Sequence, residues 1–102
     1  MRYLGRLTGH GVVTLDGNDV ARAAYDIDGF TRPPGGVTGS GEIRLDAAAL
    51  QSVFGRRGVH LRTDDGRLLG LRFSEKTLRP DVDVAHVDVS GDLPATAVAW
   101  TH

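Results

Sequence analysis

Six short runs in which apolar and polar residues alternate, punctuated by Gly-, Asp- and Pro-rich turns, limit this chain more than anything else in it. Alternation at a period of two puts successive side chains on opposite faces of a strand. The runs cover about residues 2–15, 20–29, 37–45, 58–63, 67–74 and 82–90. One helical segment interrupts them. Asp46 is a suitable N-cap, "AAALQSVF" sets Ala47, Leu50, Val53 and Phe54 on one side, and Gly55 ends it. The pattern predicts an all-β domain with one short helix between the third and fourth strands. Its six or seven antiparallel strands would form a coiled sheet or a partly closed barrel, with the helix over one open end. Residues 1–94 make up this single domain, and 95–102, "TAVAWTH" after Ala95, form a tail or a short last strand carrying Trp100.

Cross-strand neighbours share a face, so loop parity can be argued. Between the fourth and fifth strands, a three-residue loop at Asp64-Asp65-Gly66 aligns Leu61 with Leu69 and Val59 with Leu71. It also puts Gly66 where such a loop requires a left-handed residue. In the first hairpin, a three-residue loop at 16–18 sets Gly9 opposite Tyr25 and Arg6 opposite Asp28. The third strand, returning through "TRPPG", is expected to align Ile43 with Ala23, Gly41 with Tyr25 and Gly39 with Ile27. Tyr25 would then fill the interior over two glycines, Gly9 and Gly41.

The remaining composition mainly excludes. A 40% apolar and 25% charged content argues for a folded chain, and a net charge of −1 supplies no field for nucleic acid or anionic lipid. There is no cysteine, hence no disulfide, thiolate nucleophile or Cys-ligated zinc. No apolar run approaches the ~20 residues of a membrane span, and "MRYLGRLTGHG" lacks the apolar core of a secretory signal. A soluble cytoplasmic protein is therefore expected. Eleven Arg against one Lys, and eleven Asp against two Glu, point to the codon bias of a GC-rich bacterial genome.

Motifs for chemistry are absent where they would count. "GGVTGSGE" (35–42) is glycine-rich, but Gly41 is followed by Glu42-Ile43 rather than Lys-Ser/Thr, and Arg44 stands where a dinucleotide fingerprint needs glycine. No cofactor is implied. His10, His60, His86 and His102 have no helical metal-site spacing, and the alternation turns the first three outward. Asp26, Asp28, Asp81, Asp83 and Asp88 offer carboxylate pairs. Set opposite Arg6, Arg22, Arg44, Arg62 and Arg72, they equally make an ordinary solvated sheet face. "GRRG" (55–58) is a small basic spot able to hold an anion. Arg2 and Arg6 have the R-x-x-x-R spacing found near the start of PilZ domains. The companion D/N-x-S-x-x-G is missing at Asp26, where Asp28 and Thr31 hold the Ser and Gly places.

The order strand, strand, strand, helix, strand, strand, with a long glycine-bent first strand, resembles the OB-fold, although the sixth strand at 82–90 departs from it. That resemblance implies single-stranded nucleic-acid binding through exposed aromatics flanked by basic residues. Here Tyr25, Phe54 and Phe73 read as core. The expected function is instead a non-catalytic binding or interaction module, for a protein partner or a second copy of the chain. Its candidate surfaces are the loop with Phe30, Arg32, Pro33 and Pro34, and the tail with Trp100 as a strand for a partner's sheet edge. An OB-like nucleic-acid binder is the alternative. A metal-dependent or acid–base hydrolase using His10, His60 or His86 comes third.

Overall fold

The computed structural model describes residues 1–32, 35–95 and 99–100. Its elements are β1 (Arg2–Leu15), β2 (Asn18–Thr31), β3 (Val37–Arg44), α1 (Ala47–Val53), β4 (Val59–Thr63), β5 (Leu68–Phe73) and β6 (Val84–Gly91). Every strand pairing is antiparallel, and the sheet closes into a barrel in the order β1-β2-β3-β6-β5-β4, with β4 returning to β1. The OB-like order thus runs through β5, after which β6 inserts between β3 and β5. Six strands take part among the described residues.

α1 closes one end of the barrel. The Asp46 carboxylate accepts the Ala49 N–H at 3.1 Å, and Gly55 leaves the helix at φ 72. Leu50 and Val53 have no exposed surface and meet Val13, Ile43, Leu61 and Leu69 in one continuous core. Phe54 follows the helix as its C-cap, its ring 5.1 Å from that of Phe73. No helix among the described residues is long and apolar enough to cross a membrane.

Closure depends on small residues facing large ones across neighbouring strands. Tyr25 is opposite Gly9, and a Cβ there would lie 2.8 Å from the Tyr25 hydroxyl oxygen. Gly39 and Gly41 also face inward, but the β2–β3 register is displaced by two residues from the expected one. Tyr25 is opposite Ile43, Ile27 opposite Gly41, and Gly29 opposite Gly39. The reason lies in the turn. The five-residue connection runs from Arg32 to Gly36 instead of from Thr31 to Gly35, with Gly35 and Gly36 at φ 141 and 133, so Thr31 joins the ladder opposite Val37. Displacement by two keeps every face unchanged. Gly41 now makes room for the β2 backbone itself: a Cβ would strike the Asp26 carbonyl oxygen and lie 2.8 Å from the Ile27 Cα.

The first hairpin also differs from expectation while keeping its faces. Asp16 and Gly17, at φ 51 and 85, form a two-residue turn, and Val20 is extruded as a bulge between the Thr14–Asp19 and Val13–Ala21 rows. Turn plus bulge have the parity of a three-residue loop, so Gly9–Tyr25 and Arg6–Asp28 pair as expected. Leu61–Leu69 also pairs as expected, with Gly66 at φ 92.

β1 is held by β4 only from Gly11 to Leu15. The rows Tyr3–Phe30–Thr38 and Arg2–Thr31–Val37 overhang the end of β6 as a three-stranded extension, and Gly5, Gly29 and Gly39 fall in the adjoining row, which continues to Val89. Trp100 lies directly on Gly29, is 4% exposed, and donates its indole N–H to the Pro94 carbonyl at 3.0 Å. The tail therefore turns its indole inward, onto the sheet. Its described residues, Ala95, Ala99 and Trp100, form no strand.

Gly41→Ala should destabilise the protein by about 3 kcal/mol, since rigid neighbouring backbone cannot yield. Gly70→Ala meets only the Ser90 hydroxyl, 3.0 Å away, and should cost under about 1 kcal/mol. Urea denaturation followed by circular dichroism checks both. Trp100→Ala should cost about 3 kcal/mol by uncovering the inner face of Gly29; an unchanged urea midpoint would contradict this packing.

Candidate functional site

The register lays outward side chains in rows across the barrel. One row is Arg6, Asp28, Ser40, Asp88 and Arg72, crossing β1, β2, β3, β6 and β5. The next is Thr8, Asp26, Glu42 and His86, and on the other side Tyr3, Phe30 and Thr38 align. On β3 the outward residues Thr38 and Ser40 are short, and Gly39 and Gly41 flank Ser40 without side chains. Longer side chains on β2 and β6 therefore stand above β3 and wall a trough along it.

Its middle is a hollow of about 390 Å³ bounded by Arg6, Asp28, Ser40, Glu42, His86 and Asp88. A second hollow of about 210 Å³, bounded by Met1, Phe30, Arg32 and Thr38, shares Ser40 and Asp88 with it. The aromatic end is ordered by contact: the Tyr3 and Phe30 rings lie 5.5 Å apart, tilted at 59°. The Tyr3 hydroxyl donates to Asp28 at 3.0 Å, which raises the pKa of the phenol above its usual value. Trp100 supports the same strand end from inside at Gly29, one residue before Phe30.

Carboxylates dominate the rest of the trough. Arg6 Nε lies 3.2 Å from Asp26 and 3.6 Å from Asp28. His86 is bracketed, Nε2 at 3.2 Å from Glu42 and Nδ1 at 3.3 Å from Glu75. Glu75 also accepts the His86 backbone N–H at 2.8 Å, and chiefly for this reason its carboxyl titrates below the usual glutamate value. The contact ties the segment after β5 to β6. Asp88, where the hollows meet, has no ion pair among the described residues.

Phe30 and Arg32 line the trough, while Trp100 is on the inner side of the sheet. Pro33 and Pro34 lie outside the described residues. Of the other histidines, His10 faces Ala24 and His60 faces Thr14 and Gly70, apart from His86, and His102 lies outside the described residues. Among the described residues no three His, Asp or Glu side chains converge in a metal-holding arrangement. The Asp–Arg face expected from the alternation is present. Arg22 forks Asp64 at 2.8 and 2.7 Å, Arg62 forks Asp19 at 3.2 Å, and Arg44 meets Asp83 at 3.2 Å. Sequence reasoning missed the trough itself. It depends on the pairing of Glu42 with His86 across β3 and β6, which no local sequence pattern signals.

No protein-family model matches the chain, and neither the curated proteins nor the solved structures yield a match.

The depressed Glu75 carboxyl fixes a sign. Its contribution is complete above the ordinary value of 4.5 and is lost as pH falls through the lower folded value. Glu75→Ala should therefore lower the urea midpoint at pH 7, and the difference from the parent protein should shrink as pH falls below 4.5 through the lower folded value.

Proposed function

We propose that this protein is a non-catalytic binding module whose trough receives an extended, lysine- or arginine-rich segment of a partner protein. The observation that carries the reading is the Asp88 carboxylate. It stands without an ion pair at the junction of the two hollows, in one row with Asp28 and next to the row of Asp26 and Glu42. An extended segment rises about 3.3 Å per residue and sets alternate side chains on one side. It could direct basic groups to these carboxylates while an apolar or cationic side chain reaches Tyr3 and Phe30. Arg6 offsets the acidic charge only in part.

A second reading, single-stranded nucleic acid stacked on the exposed Tyr3 and half-buried Phe30, is favoured by Arg2 and Arg32 beside that pair. Its phosphates would then run over Asp28 and Asp88. Charge favours the basic segment.

Fluorescence anisotropy with a labelled peptide of alternating lysines, against a labelled oligothymidylate, separates the two. The peptide should bind with an affinity that falls as salt is raised. Asp28→Asn with Asp88→Asn should weaken it about tenfold or more, a loss of about 1.4 kcal/mol. Phe30→Ala should weaken it further. Oligothymidylate binding in preference to the peptide would overturn the proposal.

A further inference from the structure

We propose that the loop Gly55–Gly58 and the end of β5 form a separate site, which binds the phosphate group of a small organic phosphate. Of the five arginines expected to face aspartates, four do so. Arg72 is the exception: its cross-strand neighbour is Asp88, yet no ion pair joins them among the described residues. Arg56 and Arg57 are likewise without a carboxylate partner there. These three arginines line one cleft of about 520 Å³.

The cleft has a backbone origin. β4 and β5 pair only as far as His60 and Gly70, whereas β5 continues along β6 to Phe73. The β4–β5 seam therefore opens over the last three residues of β5. The chain leaves α1 at Gly55 (φ 72) and turns again at Gly58 (φ 76), two left-handed positions that hold Arg56 and Arg57 beside the opening. The Arg56 N–H bonds the Val53 carbonyl at 3.0 Å, which anchors the loop to the helix. Leu71 and the half-buried Phe73 supply an apolar wall, with Phe54 behind it.

The chemistry selects the ligand. Guanidinium forks match the oxygens of a phosphate, and a monoester dianion can engage more than one of them at once. The apolar wall suits the organic part of such a molecule. Asp16, whose carboxylate sits at Gly58, is the acidic group on the loop side, and it forms no ion pair with any of the three arginines. The site does not depend on the trough, where carboxylates would repel the same ligand.

Titration of the ¹⁵N-labelled protein with phenyl phosphate, inorganic phosphate and phenyl sulfate at fixed ionic strength tests this. Phenyl phosphate should shift the amides of residues 56–58 and 71–73 saturably and bind at least fivefold tighter than the other two. Arg57→Gln and Arg72→Gln should each weaken it about tenfold with the amide spectrum otherwise intact. Arg57→Lys should recover part of the loss, and Asp88→Asn should leave binding at least as tight. Equal binding of phenyl sulfate, shifts confined to other residues, or unaltered affinity in both Gln variants would overturn the proposal. Binding to phosphatidic acid vesicles without binding to phenyl phosphate would overturn it in favour of a lipid surface.

Discussion

The barrel depends on the contact of large side chains and backbone with glycine across adjacent strands. Tyr25 over Gly9, the β2 backbone against Gly41 and Trp100 over Gly29 lie at successive levels of the same sheet. A six-stranded barrel has a narrow interior, and its strands must coil strongly to close. A side chain at any of these glycines would either hold the strands apart or expel the ring that fills the space. Once the glycines allow closure, Ile27, Ile43, Leu61 and Leu69 pack without exposed surface, and α1 needs to cover only one end.

The same residues shape the outside. Gly39 and Gly41 admit the interior packing on one face and leave Ser40 standing low between taller neighbours on the other. A groove and a tight core thus come from a single local composition. Charge is sorted around this geometry. Carboxylates gather over β3, and arginines without an ion pair among the described residues gather where the β4–β5 seam opens.

Alternation made the strands, the helix and the inward faces readable from the residues alone, because parity survives small errors. The first hairpin shows this well: a two-residue turn with a bulge at Val20 reproduces the faces of a three-residue loop. Parity does not determine offset. The β2–β3 ladder therefore stood two residues from its expected position, because the connection begins one residue later, at Arg32. The tail shows a different limit. An alternating apolar stretch states that Trp100 will be covered but not by what, and the row of Gly5, Gly29 and Gly39 that receives it exists only after three strands have paired. Of the residues singled out in the sequence, Phe30 is half-buried and Arg32 exposed, both at the end of β2. Asp88 and His86 join them through β6, whose place beside β3 no local pattern indicates.

The position of the single tryptophan has an optical consequence. The indole is buried on the inner face of Gly29, while the next residue, Phe30, lines the trough on the outer face. One strand thickness separates the chromophore from the groove. Emission wavelength and quenching by small solutes therefore report on the overhang that carries the aromatic pair, without any label attached. Occupation of the outer groove that displaces this strand end would register as a change in the light emitted from behind it.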